Sequence, residues 1–230
     1  MLDRRLAVDP NLVFNAPLRQ LDGATFMSRE QNGISCANNL ALWRLNSLLW
    51  DGANSKIDCG HDVRIANIFD GGGTISAWIN PKSDGEGNYG RIFDKQTRWL
   101  LNIRDEDSGA VKSRFFQAFN ANDGGWTTNN RVISIGAWTH VAAIYDAGNV
   151  TNNPTIYING IAYTVGDGLT EDETPIGTRI SDTANTLYIG NSDALNRTFD
   201  GNMTDMRLYN RILSGIEILR IYNRTKRFFC

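Results

Sequence analysis

The chain has 230 residues, 41% of them hydrophobic, and its 23 lysines and arginines nearly balance 25 acidic residues for a net charge of −2. That balance provides no global field to hold a polyanion, which disfavours phosphate-driven nucleic-acid binding, and no apolar run approaches the ~18 residues of a membrane span. Three cysteines, Cys36, Cys59 and Cys230, are an odd number and too sparse for a disulfide framework, so the fold must stand on its core, with one Cys36–Cys59 bridge compatible with that usage.

The opening run, Met1-Leu-Asp-Arg-Arg-Leu-Ala-Val-Asp-Pro10, lacks the apolar segment of a secretory signal. Export by that route is therefore not expected, unless a leader has been removed. After about residue 45 the chain reads as strands. Thr74-Ile-Ser-Ala-Trp-Ile-Asn80 alternates, with Ile75, Ala77 and Ile79 on one face and Thr74, Ser76, Trp78 and Asn80 on the other. Residues 91–93, 99–103, 115–119 and 131–134 follow as short strands. His140-Val-Ala-Ala-Ile-Tyr145 is apolar on both faces after its first residue, as expected of a strand covered on two sides. Residues 154–158 and 161–165 flank Asn159-Gly160, a pair suited to the positive φ angles of a type I′ hairpin turn. Residues 186–189 and 206–209 complete the set, with loops rich in Gly, Asn and Asp between strands. Many short strands at this spacing specify a sandwich or a jelly roll.

One helix is predicted near the end. Ser214-Gly-Ile-Glu217 has the pattern of a capping box, and Ile216, Leu219 and Tyr222 supply an apolar stripe behind it. Arg220, Arg224, Lys226 and Arg227 then follow without an acid, in keeping with the helix dipole. No internal repeat or low-complexity linker interrupts the chain. Residues 1–230 are thus expected to form one domain, with an N-terminal arm over 1–11 and a tail over 224–230.

Six stretches then occur in a telling order. They are Leu49-Trp-Asp-Gly52 with Lys56-Ile-Asp-Cys-Gly60, Thr74-Ile-Ser-Ala-Trp-Ile-Asn-Pro81, Gly136-Ala-Trp-Thr-His-Val-Ala142, Thr155-Ile-Tyr-Ile-Asn-Gly160, Leu187-Tyr-Ile-Gly190, and Phe199-Asp-Gly201 with Asp205-Met-Arg-Leu-Tyr-Asn-Arg-Ile-Leu-Ser214. Together they resemble the laminin-G-like, concanavalin-A-like jelly-roll superfamily from about Leu12 to Asn223. The resemblance implies an all-β fold: a two-sheet antiparallel jelly-roll sandwich, one sheet concave and one convex, with one short C-terminal helix. In relatives the concave face or the loops at one rim bind sugars or protein ligands. Many carry calcium at a rim, and some are glycoside hydrolases.

A hydrolase needs two carboxylates about 5 to 9.5 Å apart, which the family sets on one strand as Glu-x-Asp-x-Glu or Glu-x-Asp-x-x-Glu. No such string occurs. Asp105-Glu-Asp107 before Ser108-Gly109 reads as a hairpin turn, and Glu171-Asp-Glu173 before Thr174-Pro175 as a loop. No catalytic residue is assigned, and the chain is expected not to be an enzyme. His140 matches the family's structural histidine and is expected to be a hydrogen-bonded core residue. Cys59-Gly-His-Asp62 lacks the second cluster of a zinc site, and Asp70-Gly-Gly-Gly73 lacks the Gly-Lys-Ser/Thr of a phosphate loop.

Calcium is the cofactor the resemblance allows. The pentraxin branch holds it between the loop after Pro81 and the loop after Gly190, where this chain offers Asn88, Asn191 and Asp193, a weak set with one carboxylate. A glycan site needs an aromatic platform and planar polar partners. Tyr89 and Trp126 are the loop aromatics, and Asn88, Asn191, Asp193, Asn196 and Arg197 the polar candidates. These three loops are expected to lie near one another at a rim or on the concave face. Trp43, Trp50, Trp78, Trp99 and Trp138 are assigned to the core.

The sequence therefore reads as a non-catalytic surface-recognition module whose ligand is a carbohydrate. Its partners would be a glycan or other host-surface ligand and other virion proteins, without nucleic acid or membrane insertion. Leu12-Val-Phe-Asn-Ala-Pro-Leu18 followed by Leu21-Asp-Gly23 is similar to segments of phage structural gene products, which places the protein on a virion surface or outside the cell. A virion decoration or fibre-associated protein without a glycan ligand is the alternative, and a glycoside hydrolase the third reading.

Overall fold

The computed structural model describes residues 9–19 and 23–229. Most of the N-terminal arm expected over residues 1–11, Leu21, and Cys230 lie outside them. The first strands are β1 Leu12–Ala16, β2 Thr25–Met27, β3 Ser35–Asn39, β4 Leu42–Arg44, β5 Ser47–Asp51 and β6 Lys56–Asp58. Next come β7 Gly73–Pro81, β8 Arg91–Asp94, β9 Trp99–Asp107, β10 Ala110–Gln117, β11 Gly124–Thr128 and β12 Ile133–Ser134. The last are β13 Thr139–Tyr145, β14 Thr155–Ile158, β15 Ile161–Val165, β16 Gly168–Glu173, β17 Tyr188–Ile189 and β18 Asp200–Tyr209, before helix α1 Gly215–Thr225.

These strands form two layers. Sheet A runs β4–β5–β18–β7–β13–β14–β15, and β1 replaces β5 along the second half of β18. Sheet B runs β2–β3–β6–β17–β8–β9–β10–β11–β16, with β12 beside the start of β10. Pairing is antiparallel except for a short parallel contact of β15 with β16, which joins the layers at one edge. Glu171, Asp172 and Glu173 are part of β16 and pair along β11, not in a loop as expected. The all-β sandwich with one short helix stands as the sequence predicts. No helix among the described residues is long and apolar enough to cross a membrane.

Ile75, Ala77 and Ile79 of β7 join Val141 and Ala143 of β13, Leu101 and Ile103 of β9, Phe115 and Trp126 in one buried cluster between the layers. The alternation read in residues 74–80 is thus real. The opposite faces of β7 and β13 are buried too, because α1 lies on them. Trp78 Nε1 donates to Thr225 Oγ1 at 2.8 Å and its ring stacks on Tyr222. A second cluster, Ala142, Tyr157, Tyr209, Leu213 and Ile218, seals the same face. The capping box forms: Ser214 Oγ accepts from the Glu217 N–H and the Glu217 carboxylate accepts from the Ser214 N–H. The apolar stripe, however, is rotated from the expected one. Ile218 and Thr225 are buried, while Ile216 and Leu219 remain 64% and 43% exposed. The aromatic surface of Trp78, Tyr157 and Tyr209 selects the helix face, and Ile218, Ile221, Tyr222 and Thr225 are spaced to meet it.

His140 also lies under α1, against Trp78 and Tyr222 at ring distances of 5.5 and 6.2 Å. Contrary to expectation its Nδ1 makes no hydrogen bond. Burial in this aromatic niche lowers its pKa to about 4. At the other end of β14, Asn159 and Gly160 have φ of 53° and 81° and join Ile158 to its partner Ile161, as a type I′ hairpin requires. Gly160→Val should cost about 1–2 kcal/mol in urea unfolding, because a β-branched residue resists that φ. Its Cβ would also stand 2.8 Å from Leu219 Cδ1. A variant as stable as the parent would show that the turn does not need glycine.

Candidate functional site

Helix α1 covers part of the outer side of sheet A, whereas the outer side of sheet B carries no α-helix among the described residues. Strand periodicity decides which residues reach it. In β9 and β10, Leu101, Ile103 and Phe115 turn into the core, so Leu100, Asn102, Arg104, Lys112, Arg114 and Phe116 take the opposite face. Register then lines them up across strands. One row reads Arg91–Asn102–Arg114–Thr127–Thr170 over β8, β9, β10, β11 and β16. The next reads Tyr188–Asp94–Leu100–Phe116–Gly125–Glu173 from β17 to β16. A polar ladder thus lies beside a mixed row in which Leu100 and Phe116 are flanked by Asp94 and Glu173.

A bulge in β8 between Arg91 and Phe93 puts both Arg91 and Asp94 on this face. Their Nε–Oδ2 distance is 3.1 Å, and Asp94 also accepts from the Thr97 N–H at 2.7 Å. Burial pushes the Asp94 carboxyl above its usual range against the pull of Arg91. Burial likewise lowers Arg91, which feels the neighbouring charges of Arg197 and Arg114. Farther along, Arg114 Nη2 meets Glu173 Oε1 at 2.8 Å, and Asp172 accepts from Thr127 Oγ1 at 2.9 Å. Arg104 spans Asp105, Asp172 and the Tyr89 hydroxyl, at 3.1, 3.7 and 3.2 Å. Asn102 is fully buried, with its amide on the Ile103 carbonyl and its Oδ1 unpaired by protein. A cavity of about 290 Å³ opens beside Arg104, Lys112, Thr127, Thr170 and Asp172.

Two of the three expected loops meet at the rim of this face. The Glu86 N–H donates to the Thr198 carbonyl at 2.9 Å, the Glu86 carboxylate accepts from Thr198, and the Arg91 N–H donates to the Arg197 carbonyl. Tyr89 has the guanidiniums of Arg104 and Arg197 4.8 and 5.6 Å from its ring centre. A cavity of about 550 Å³ is lined there by Arg91, Gln96, Asn185, Asp193, Asn196 and Arg197. Asn88 sits at the exposed end of the first loop, with φ 64°. Asn196 is exposed and accepts from Ser192 Oγ at 2.9 Å.

Two expected residues are elsewhere in role. Asn191 is fully buried: its Oδ1 accepts from the Ser192 and Arg197 N–H groups, and its amide donates to Thr198 Oγ1 at 2.6 Å. These bonds hold the loop in shape. Trp126 is not a loop residue at all. It belongs to β11, is fully buried, stacks with Phe115 and donates from Nε1 to Asn153 at 2.7 Å. The preceding glycines are there for room. A Cβ at Gly124 would fall 2.4 Å from the Trp126 ring, and one at Gly125 2.4 Å from Arg114 Nη2.

The calcium set fails a fit test on these same contacts. The ion wants six to eight oxygens. Asn191 Oδ1 is already engaged twice, and the Asp193 oxygens accept from Tyr188 Oη at 2.7 Å and Gln96 Nε2 at 3.3 Å. Among the described residues no three His, Cys, Asp or Glu side chains are grouped to hold a metal. Asn88, Asn191 and Asp193 do not make a calcium cage.

Residues the sequence reading missed are Arg91, Asn102, Arg104, Arg114, Thr127 and Asp172. A signal for several was present. Leu100-Leu-Asn102-Ile-Arg104 and Lys112-Ser-Arg114 place a polar side chain at every second position beside core residues.

Solved structures share this architecture at low identity. The binding domain of Paraclostridial Mosquitocidal Protein 1 superposes with a TM-score of 0.66 at 18% identity, over 93% of this chain and 52% of that one. The binding domain of Botulinum Neurotoxin DC, in complex with SialylT, gives 0.60 at 15% identity over 94% and 52%. The native heptameric SAP-like pentraxin from Limulus polyphemus gives 0.50 at 16% identity over 66% and 70%. The chain thus spans about half the length of the two toxin domains, at 52% of each. No curated protein sequence matches it. Residues 51–219, from the end of β5 into α1, match the Laminin_G_3 family of the Concanavalin A-like lectin/glucanases superfamily. Two packed antiparallel sheets, the order of the six stretches and that match agree, and the chain belongs to the concanavalin A-like lectin/glucanase superfamily.

Proposed function

We propose that the outer face of sheet B, with the rim loops at Tyr89 and Arg197, binds a glycan without catalysis. The observation that carries this is the row Arg91–Asn102–Arg114–Thr127–Thr170, which crosses five strands of the outer face of sheet B and sets the buried Asn102, Arg114 and Thr127 beside the accessible Arg104, Lys112 and Thr170 that line a cavity. Sugar hydroxyls donate and accept at once, and paired guanidiniums and carboxylates offer both functions in fixed geometry. Tyr89, close to two arginines, supplies an aromatic group at the rim. Carboxylates here are tied down: Asp94 to Arg91, Asp172 to Arg104 and Arg114, and Glu173 to Arg114. That arrangement suits recognition better than proton transfer. The toxin domain solved with SialylT supports a binding role for the fold, and no more than that.

A glycan array read with and without chelator tests the reading. The folded protein should bind a subset of glycans equally in both conditions. Arg104→Ala and Arg197→Ala, both at partly exposed positions, should each weaken binding about ten-fold, as for a charged hydrogen bond lost. Absence of any bound glycan, or parent-like binding by both variants, would reject this face. Sugar release from a polysaccharide panel is expected to be nil. Display of this face on a phage particle or elsewhere outside the cell is a proposal resting on the likeness of residues 12–18 to phage structural products. Co-purification of the chain with an isolated particle tests it, and binding to the particle without any glycan would favour the decoration role.

A further inference from the structure

Strands β3 and β6 pair antiparallel with Ala37 opposite Asp58 and Asn38 opposite Ile57, so the next rung sets Cys36 beside Cys59. Their sulfurs are 2.9 Å apart. Both side chains are sealed, at 0% and 1% exposure, in the core between the layers. Opposed rungs of an antiparallel pair bring Cβ atoms to about 4.5–5.5 Å, close to the spacing a disulfide spans. Nothing larger than a small side-chain adjustment separates the dithiol from the bonded pair. A folded chain, however, shields both sulfurs from any reagent. Burial also raises the Cys59 thiol well above its usual range, which removes the reactive thiolate.

We infer that Cys36 and Cys59 are a modification site, oxidised to a disulfide when the chain folds under oxidising conditions and then locked in that state by the fold. The pair records where folding took place. With a small disulfide such as oxidised glutathione as oxidant, the Cys59 thiolate of the unfolded chain attacks one glutathione sulfur and releases the other glutathione as thiolate. The Cys36 thiolate then attacks the mixed disulfide at the Cys59 sulfur and releases the second glutathione. Two protein thiols lose two electrons and two protons, and one glutathione disulfide becomes two thiols. The closed loop, residues 37–58, contains β4 and β5 of sheet A while its ends lie in sheet B. The bond would therefore tie both layers, and it should raise the melting temperature without being needed for folding.

The test uses the full chain carrying Cys230→Ser, so that only this pair can react. Refolding with oxidised glutathione should give a protein lighter by two hydrogens, and a non-reducing digest should join the peptides that hold Cys36 and Cys59. Refolding in a phosphine reductant should give an equally folded dithiol. That folded dithiol, mixed with oxidised glutathione afterwards, should stay reduced until denaturant is added. Two free thiols after oxidative refolding would overturn the site. Oxidation of the folded dithiol as fast as the unfolded chain would overturn the locking.

Discussion

Trp126→Ala is expected to destabilise the protein by about 3–5 kcal/mol, the range for deleting a large buried aromatic. The indole is fully buried and packs on Phe115 and Tyr145, with ring centres 6.2 and 5.2 Å away. Its removal leaves a cavity between the layers and strips the partner from Asn153 Oδ1, which receives the indole N–H at 2.7 Å. Urea unfolding would read this as a fall in the midpoint with an unchanged slope. Binding by the fraction that remains folded should be close to that of the parent. The reverse outcome, full stability with lost glycan binding, would restore Trp126 to a loop platform and displace the ladder on sheet B.

The second large effect is a loss of stability in mild acid. His140 is fully buried, and its pKa falls from the ordinary 6.5 to about 4, chiefly through burial, with Asp205 opposing and Arg207 adding to the shift. Below 6.5 the unfolded chain takes up a proton that the folded chain refuses, so stability is complete above that pH and drains away as pH falls toward 4. At 1.36 kcal/mol per pH unit the full loss is about 3 kcal/mol. His140→Phe keeps a planar ring between Trp78 and Tyr222 and should flatten the melting temperature across this window. A parent-like slope in that variant would mean that other groups carry the effect. Asp51, Asp62 and Glu217, held at about 2 by hydrogen bonds and, for Asp62 and Glu217, by arginine partners, act lower down. Their contributions are present above pH 3.8 to 4.5 and disappear as pH drops toward 2.

Where a fold feature depends on neighbours in the chain, the residues announce it. Asn159-Gly160 and Ser214-Gly-Ile-Glu217 are such cases, since a turn and a cap are satisfied within four residues. The six family stretches carried the sandwich for the same reason, being strands whose alternation is local. Features that depend on distant packing were hidden. Gly124 and Gly125 read as loop because glycine is poor in strands, yet they make space for the Trp126 ring and the Arg114 guanidinium. The orientation of α1 could not be read from its own stripe, because Trp78, Tyr157 and Tyr209 choose the face. At the site, Tyr89, Asp193 and Arg197 were legible as loop polar groups. Their alignment with Arg91, Asn102 and Arg114 depends on strand register, and the hydrogen bonds by which Asn191 closes its own loop depend on the loop's folded shape.

Strand β18 has a consequence for biosynthesis. Residues 200–209 pair with β1 and β5 on one side and β7 on the other, making this late strand the seam of sheet A. A ribosome delivers it after every strand it must join. Throughout that interval β5 and β7 present naked edges, which invite pairing with other chains. Nascent protein would thus depend on chaperone shelter or fast elongation until the seam arrives. Moving the segment that holds β18 and α1 to the front by circular permutation would let sheet A assemble as it emerges, with a higher yield of soluble protein at the same final architecture.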